Sequence, residues 1–112
     1  MTFPKSDVIW MNGKFVPWDD ARIHVGSHVV HYGSAVFEGV RCYVTPSGPA
    51  IFRLRDHTER LFRSARIFGM KIPFSIGQLM EAQQACVRDN RLESCYIRPI
   101  AYFGYGEMGL NT

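Results

Sequence analysis

Hydrophobic and polar residues alternate from residue 36 to residue 44, which predicts a β-strand with two chemically different faces. One face carries aromatic residues, a glycine and an arginine, namely Phe37, Gly39, Arg41 and Tyr43. The other face is apolar and carries Val36, Val40, Cys42 and Val44. An arginine between aromatic residues is costly to bury unless an anion meets it. The first face is therefore a candidate ligand-binding surface; the alternative is that Arg41 lies in solvent or pairs with an acid such as Glu107.

A second alternating stretch, residues 95–103, also predicts a strand. Tyr96, Arg98 and Ile100 share one face of it, and Cys95, Ile97 and Ala101 share the other. An aromatic residue and an arginine again lie two positions apart. Two such faces could converge on a single pocket.

Two hairpins are expected around the first strand. Asn12-Gly13 lies between two β-type runs within residues 8–18, and this dipeptide tolerates the positive φ angles of a tight hairpin turn. Residues 45–49 have the composition of a turn, and residues 50–54 are expected to return as a strand.

A first helix is predicted between residues 56 and 69. Asp56 would be its N-cap, with Glu59 completing a capping box, and Gly69 would follow its last turn. Arg60 lies four residues after Asp56, so a surface ion pair between them is one interpretation of Arg60.

A second helix is predicted to begin at Ser75 and to run to about Asn90. Gln78 lies three residues after Ser75, which is the spacing of a capping box. Apolar residues then recur at helical spacing, as expected for a helix that packs on a core.

Together these elements predict an α+β fold, in which an antiparallel sheet built from hairpins carries two packed helices. The chain has 112 residues, of which 46% are hydrophobic. That is enough for one compact core and too little for two. A single domain over residues 1–112 is expected.

Composition also limits the partners. The net charge is +3, with no run of basic residues, so a nucleic-acid partner is not expected. The sequence has neither a secretory signal pattern nor an apolar window of membrane-spanning length. Its three cysteines follow no pairing pattern, which predicts reduced core thiols. We expect a cytoplasmic protein without a membrane partner.

Three histidines, His24, His28 and His31, have a spacing that would align them on a helix and raises the question of a zinc site. The residues between them are poor helix formers, and no acidic fourth ligand lies nearby. We expect no metal here, and expect the histidines to be hydrogen-bonding groups of a loop or packed rings.

Residues 104–109 match the G-x-G-x-x-G pattern of dinucleotide-binding folds. That pattern binds pyrophosphate where it opens a helix within alternating strands and helices. The elements predicted here are mainly hairpins, so a dinucleotide site is not expected.

Four motifs resemble, in order and spacing, the N-terminal domain of bacterial-type branched-chain amino acid aminotransferases. They are residues 31–43, residues 55–60 with His57 and Arg60, Tyr96-Ile-Arg-Pro99, and Met108-Gly-Leu-Asn111. The resemblance extends from Trp10 to Asn111. It implies a pyridoxal 5′-phosphate enzyme of fold type IV, the D-amino-acid-aminotransferase-like family, of which this chain would be the smaller domain.

The resemblance also implies an activity and a set of site residues. The enzyme would transaminate L-leucine, L-isoleucine and L-valine with 2-oxoglutarate, giving branched 2-oxo acids and L-glutamate. Arg60 matches the residue that holds the cofactor phosphate, and this role outranks the surface ion pair. Eight residues match substrate-pocket positions: Tyr32, Phe37, Gly39, Arg41, Tyr96, Arg98, Met108 and Leu110.

Within that pocket, the resemblance assigns Arg98 to the distal carboxylate of glutamate or 2-oxoglutarate. Tyr96 and Arg41 would order the α-carboxylate, and Tyr32, Phe37 and Leu110 would shape the apolar part. Tyr32 and Leu110 match positions that reach the neighbouring subunit's active site, which implies at least a homodimer.

The family's catalytic lysine, which forms a Schiff base with the cofactor, has no counterpart among Lys5, Lys14 and Lys71. It is expected in a second domain beyond Thr112, so the chain alone is expected to be inactive. Two other chemistries share the fold, D-amino acid transamination and aminodeoxychorismate lyase activity, and the residues at positions 37–41 and 96–98 disfavour both. A non-catalytic, stand-alone domain is the third hypothesis.

Overall fold

The computed structural model describes residues 4–105 and has the predicted α+β architecture. The strands of this part of the chain are β1 (Val8–Met11), β2 (Lys14–Pro17), β3 (Ala35–Phe37), β4 (Val40–Thr45), β5 (Gly48–Ile51), β6 (Cys95–Ile97) and β7 (Ile100–Tyr102). The helices are α1 (His28–Tyr32), α2 (Leu54–Ile67) and α3 (Ile76–Asp89), and a 3₁₀ turn covers Trp18–Asp20.

All strand pairs are antiparallel. The β1–β2 hairpin turns at Asn12 and Gly13, whose φ angles of 53° and 97° are the positive values that the Asn-Gly pair predicts. β4 lies between β5 and β6, and β3 pairs with β7. The hairpin predictions are therefore confirmed.

Each of the two long predicted strands is interrupted, which the alternation did not predict. Glu38 and Gly39 separate β3 from β4, and Arg98 and Pro99 separate β6 from β7. The two interruptions lie side by side, since the Glu38 N–H donates a hydrogen bond to the Pro99 carbonyl (3.0 Å). Proline has no N–H to donate, which explains a break in the ladder at this point.

The alternation of buried and exposed residues nevertheless continues across the interruption. Val36, Val40 and Cys42 are buried, whereas the side chains between them at positions 37, 41 and 43 are exposed. Val44 was expected on the buried face but is 59% exposed, so that face ends at Cys42.

Helix α2 begins earlier than predicted. Its first residue is Leu54, which was assigned to a strand, and its N-cap is Arg53, with a φ of 52° and no capping side chain. Asp56 is not the N-cap but pairs with Arg53 (2.8 Å). The buried stripe of Leu54, Thr58, Leu61 and Ala65 has helical spacing, so burial of Leu54 sets the start. The C-terminal prediction is confirmed, because Gly69 has a φ of 71°.

Helix α3 agrees with its prediction at both ends. The Ser75 hydroxyl accepts from the Gln78 N–H (3.0 Å), and the Gln78 side chain accepts from the Ser75 N–H (2.8 Å). This reciprocal capping box was readable from the sequence because both bonds are local.

Helix α1 was not predicted, and His28 and His31 lie in it rather than in a loop. It has five residues and ends at Gly33, whose φ is 63°. The Val29 N–H donates to the Phe103 carbonyl (3.0 Å), a partner from the far end of the chain. So short a helix depends on such tertiary contacts rather than on helix propensity.

The hydrophobic core lies where α2 packs against β3 and α3 packs against α2 and β1. Its buried residues are Val36, Leu61, Ala65, Met70, Leu79 and Phe103. Gln83 of α3 donates to the Thr58 hydroxyl of α2 (3.0 Å) within the buried helix interface. Within residues 4–105, no helix has the length and apolar character needed to cross a bilayer.

Asn90, at the end of α3, attaches the N-terminal hairpin to the rest of the domain. Its side-chain oxygen accepts from the Asp7 and Val8 N–H groups (both 2.9 Å). Its amide donates to the Val8 and Cys86 carbonyls (3.1 and 2.9 Å). One side chain thus satisfies four backbone groups.

We expect Asn90→Ala to lower the free energy of unfolding by about 2 kcal/mol, because these backbone groups lose their partner in a half-buried position. Urea unfolding measures the change. Gln84→Ala is the control, since it removes an exposed amide from the same helix. An Asn90 variant as stable as the control would contradict this account of the hairpin.

Candidate functional site

Three of the predicted substrate-site residues form one exposed group, which we call the aromatic–arginine cluster: Phe37, Tyr96 and Arg98. The Arg98 guanidinium carbon lies 4.2 Å from the centroid of the Phe37 ring and 5.4 Å from that of Tyr96. Arg98 Nη2 also donates to the Tyr96 hydroxyl (2.8 Å). Ring stacking and this hydrogen bond together orient the guanidinium.

Two further predicted residues adjoin the cluster. Arg41 is the register partner of Tyr96 in the β4–β6 ladder. Gly39 lies directly against Tyr96, because a Cβ added at Gly39 would overlap the Tyr96 hydroxyl. The two aromatic–arginine faces predicted from the alternation therefore meet on one side of the sheet. Only glycine leaves room for the Tyr96 ring at this point.

The cluster combines two kinds of binding group. Phe37 and Tyr96 are 55% and 46% exposed, which is unusual for large rings in a folded domain. Two arginines beside these rings provide N–H donors in the planar geometry that suits a carboxylate. Such a surface can bind an apolar group and an anionic group in the same place.

A second group of polar residues lies on the other face of the same segment. The Glu38 side chain is only 5% exposed and accepts two hydrogen bonds from Arg60, from Nε and Nη2, both at 2.8 Å. His57 Nδ1 lies 2.9 Å from Glu38 Oε1. We call these three residues the Glu38 triad.

The triad holds Glu38 in its ionised form. The pKa of Glu38 is lowered, chiefly by the hydrogen bonds from Arg60, with a smaller contribution from His57 that outweighs the opposing effect of burial. The same bonds raise the pKa of Arg60. Both partners are therefore charged at neutral pH.

We expect this carboxylate to make the stability of the chain sensitive to acid. Because the pKa of Glu38 is lower in the folded than in the unfolded chain, its contribution is complete above the ordinary glutamate pKa of about 4.3. The contribution is lost as the pH falls through the lower, folded-state value. Urea unfolding of wild type and Glu38→Gln at several pH values should show a difference in free energy that shrinks towards low pH.

The matched control is Glu59→Gln, which removes an exposed carboxylate that pairs with Arg55 (3.3 Å). Its effect should stay below about 1 kcal/mol at every pH, since exposed ion pairs contribute little. A difference between wild type and Glu38→Gln that does not change with pH would contradict the assignment to Glu38.

The role of Glu38 was missed in the sequence, although a signal for it was present. The alternation that buries Val36 and Val40 also places position 38 on the buried face. A carboxylate on an apolar face requires a cationic partner. That partner is Arg60, so the ion pair between Arg60 and Asp56 considered from the sequence is wrong.

The remaining predicted residues lie elsewhere. Tyr32 ends α1, is 70% exposed and stacks on the His28 ring (4.5 Å between centroids). Met108 and Leu110 lie outside the described residues, as does Glu107. Arg60 lines an open cavity of about 460 Å³. The other lining residues are Arg53, Asp56, His57, Glu59 and Arg63.

The histidines and cysteines have structural partners. His24 Nδ1 accepts from the Gly26 N–H (2.8 Å), and His28 Nδ1 lies 2.7 Å from the Ser34 hydroxyl. All three cysteines are free, and Cys42 is buried. In the part of the chain that the structure describes, no group of three histidine, cysteine or acidic residues has the geometry to hold a metal ion.

Comparison with known proteins gives consistent matches. A family model described as amino-transferase class IV matches residues 35–112. The branched-chain-amino-acid aminotransferase of Pseudomonas aeruginosa is 55% identical over 108 residues, which cover 96% of this chain and 35% of that protein. The enzyme of the same name from Escherichia coli K12 is 50% identical over 111 residues, which cover 99% of this chain and 36% of that protein.

Solved structures match equally well. A crystal structure of the E. coli branched-chain amino acid aminotransferase superposes with a TM-score of 0.91 at 50% identity and covers 96% of this chain. A second bacterial branched-chain amino acid aminotransferase, complexed with N-(5′-phosphopyridoxyl)-L-glutamate, gives the same values. In both cases the match covers 36% of the solved chain. This chain thus spans about a third of the length of the relatives it matches.

Proposed function

Because the chain belongs to the class IV amino-transferase family, we propose that it forms the N-terminal domain, residues 1–112, of a pyridoxal-phosphate-dependent branched-chain aminotransferase. The whole enzyme would transfer the amino group of L-leucine, L-isoleucine or L-valine to 2-oxoglutarate. The observation that carries this proposal is the aromatic–arginine cluster beside the Glu38 triad. The names of the similar proteins support the substrate class.

The residues present fit the cofactor's phosphate. Glu38 uses one edge of the Arg60 guanidinium, and the Arg60 side chain is still 60% exposed. The N–H groups of Nη1 and the second N–H of Nη2 are therefore left for an anion, and bidentate contacts of arginine suit phosphate oxygens. When bound, pyridoxal phosphate supplies the electron-withdrawing ring that stabilises negative charge at the substrate α-carbon.

The cluster suits the two kinds of substrate that such an enzyme must accept. The rings of Phe37 and Tyr96 would contact an aliphatic side chain, together with Tyr32 and Leu110. Arg98 would bind the distal carboxylate of glutamate or 2-oxoglutarate, which desolvation of both charges would make strong and specific. Arg41 and the Tyr96 hydroxyl would orient the α-carboxylate, and Gly39 and Met108 would complete the wall.

The proposal extends to the parts of the enzyme that this chain does not contain. The lysine that binds the cofactor covalently would lie in a second domain. Tyr32 and Leu110 would contact the active site of a neighbouring subunit, so the enzyme would be at least a homodimer, and we place it in the cytoplasm. The 70% exposure of Tyr32 is consistent with burial in such an assembly.

The test uses the full-length protein that carries this domain. Purified with pyridoxal phosphate, it should show the visible absorption of the protein-bound cofactor, lose that band with L-leucine and regain it with 2-oxoglutarate. D-Alanine should leave the band unchanged. A response to D-alanine alone would favour D-amino acid transamination. A full-length protein that shows no band would refute the enzyme proposal and favour a non-catalytic domain.

A further inference from the structure

We propose that Glu38 is a positioning residue, which holds the Arg60 guanidinium in the orientation that binds the cofactor phosphate, with His57 supporting the same carboxylate. This inference rests on the function proposed above. It concerns a residue for which neither the sequence motifs nor the family resemblance supplied a role.

The geometry of the Glu38–Arg60 pair is directional. Glu38 Oε2 accepts from Arg60 Nε, and Glu38 Oε1 accepts from Nη2, both at 2.8 Å. Two parallel bonds to one edge fix the plane of a guanidinium, whereas a single bond would leave it free to rotate. The edge that contains Nη1 is thereby turned away from the buried carboxylate and towards the surface.

The burial of the two partners is strongly unequal. The Glu38 side chain is 5% exposed and the Arg60 side chain is 60% exposed. An exposed arginine normally samples many rotamers and loses that freedom when it binds a ligand. Here the buried carboxylate has already restricted the side chain, so less conformational entropy is lost when an anion binds.

The backbone around Glu38 is fixed as well. Its N–H donates to the Pro99 carbonyl (3.0 Å), between the two interrupted strands. Its neighbours Phe37 and Gly39 belong to the substrate face, and the residue before Pro99 is Arg98. One rigid segment therefore sets the position of the substrate cluster on one face and of Arg60 on the other.

His57 completes the arrangement. Its Nδ1 lies 2.9 Å from Glu38 Oε1, the same oxygen that Arg60 Nη2 contacts, and the His57 side chain is 22% exposed. Since an ionised carboxylate only accepts hydrogen bonds, Nδ1 carries the proton. Glu38 is thus held from two directions by residues three positions apart on α2.

Electrostatics alone would give the opposite expectation. A carboxylate near a bound phosphate repels it and lowers the effective charge of Arg60, so removing Glu38 would then tighten cofactor binding. The positioning account requires that removing Glu38 weakens binding. The two accounts therefore differ in the sign of one measurable quantity.

The experiment measures the Kd of the full-length apoenzyme for pyridoxal phosphate and for pyridoxal, which lacks the phosphate. The variants are Glu38→Gln, Arg60→Ala, the double variant, and Glu81→Gln as a control with the same chemical change at an exposed site on α3. We expect Glu38→Gln to raise the Kd for pyridoxal phosphate about 10- to 100-fold, the range for losing hydrogen bonds to a charged group. The Kd for pyridoxal should change no more than about twofold, as should both values for the control.

The double variant tests whether Glu38 acts through Arg60. In the Arg60→Ala background, Glu38→Gln should change the Kd for pyridoxal phosphate by no more than about twofold. A full additional loss there would overturn the proposal, as would equal losses for pyridoxal and pyridoxal phosphate, or unchanged or tighter binding in Glu38→Gln.

Arg60→Lys provides a second variant if Glu38→Gln does not fold. Lysine keeps the charge at an exposed position but cannot make the two-bond contact with Glu38. The proposal requires weakened pyridoxal phosphate binding in this variant, and wild-type affinity would overturn it. Wild-type protein that binds pyridoxal phosphate while these variants bind equally well refutes the positioning role alone. Wild-type protein that binds none refutes the proposed function together with it.

Discussion

Replacing Gly39 by alanine should lower kcat/KM of the full-length enzyme for L-leucine and 2-oxoglutarate by at least about 100-fold, since small displacements of positioning groups have effects of this size. The added methyl group would overlap the Tyr96 hydroxyl. Tyr96 must then move, which breaks its 2.8 Å hydrogen bond with Arg98 and separates the ring from the guanidinium. Steady-state kinetics measure the effect.

Gly77→Ala is the matched control for this substitution. In α3 the added Cβ of residue 77 would meet only the Ser75 hydroxyl, at 3.9 Å. Alanine is the better helix former, so this variant should keep its activity and gain about 0.5–1 kcal/mol of stability. In a Tyr96→Phe background, which lacks the overlapping hydroxyl, Gly39→Ala should cost less than it does alone. A fully active Gly39→Ala enzyme would contradict the proposed arrangement of the cluster.

Replacing Arg98 by leucine should separate the two half-reactions of the proposed enzyme. The rate constant per substrate concentration for L-glutamate should fall about 100-fold, as expected for the loss of a bidentate charge-assisted contact. The value for L-leucine should change far less, because an aliphatic side chain needs the rings and not the charge. Single-turnover measurements of the loaded enzyme with each amino acid report the two values separately.

Arg22→Leu makes the same chemical change at a position that is 79% exposed and makes only a long contact with Asp20 (3.9 Å). Both half-reactions should be unaffected in this control. If Arg98→Leu lowered the two rates equally, Arg98 would support the shape of the pocket rather than recognise the distal carboxylate.

Features determined by local interactions were predicted from the sequence. The Asn12-Gly13 turn, the Ser75–Gln78 capping box and the positive φ of Gly69 all involve residues within a few positions of one another. The alternation of exposure between residues 36 and 42 was also predicted, and it identified the face on which Phe37 and Arg41 lie.

Features that depend on distant partners were not predicted. Helix α1 is stabilised by a bond to Phe103, near the other end of the described chain, and its sequence alone favours a loop. The start of α2 follows the burial of Leu54 rather than the capping potential of Asp56. The interruptions at positions 38–39 and 98–99 became evident only when the two stretches were paired.

The sequence by itself determined the fold class, the two hairpins and the two long helices, and it identified the residues of the aromatic–arginine cluster. These depend on backbone preferences and on the periodicity of apolar residues, which a single chain segment contains in full. Only the tertiary structure decided that Arg98 lies between Phe37 and Tyr96, that Gly39 makes room for Tyr96, and that Arg60 is held by Glu38. The physical reason is that these contacts join segments about 20 to 60 positions apart in the chain, and their geometry exists only once the sheet and α2 have packed together.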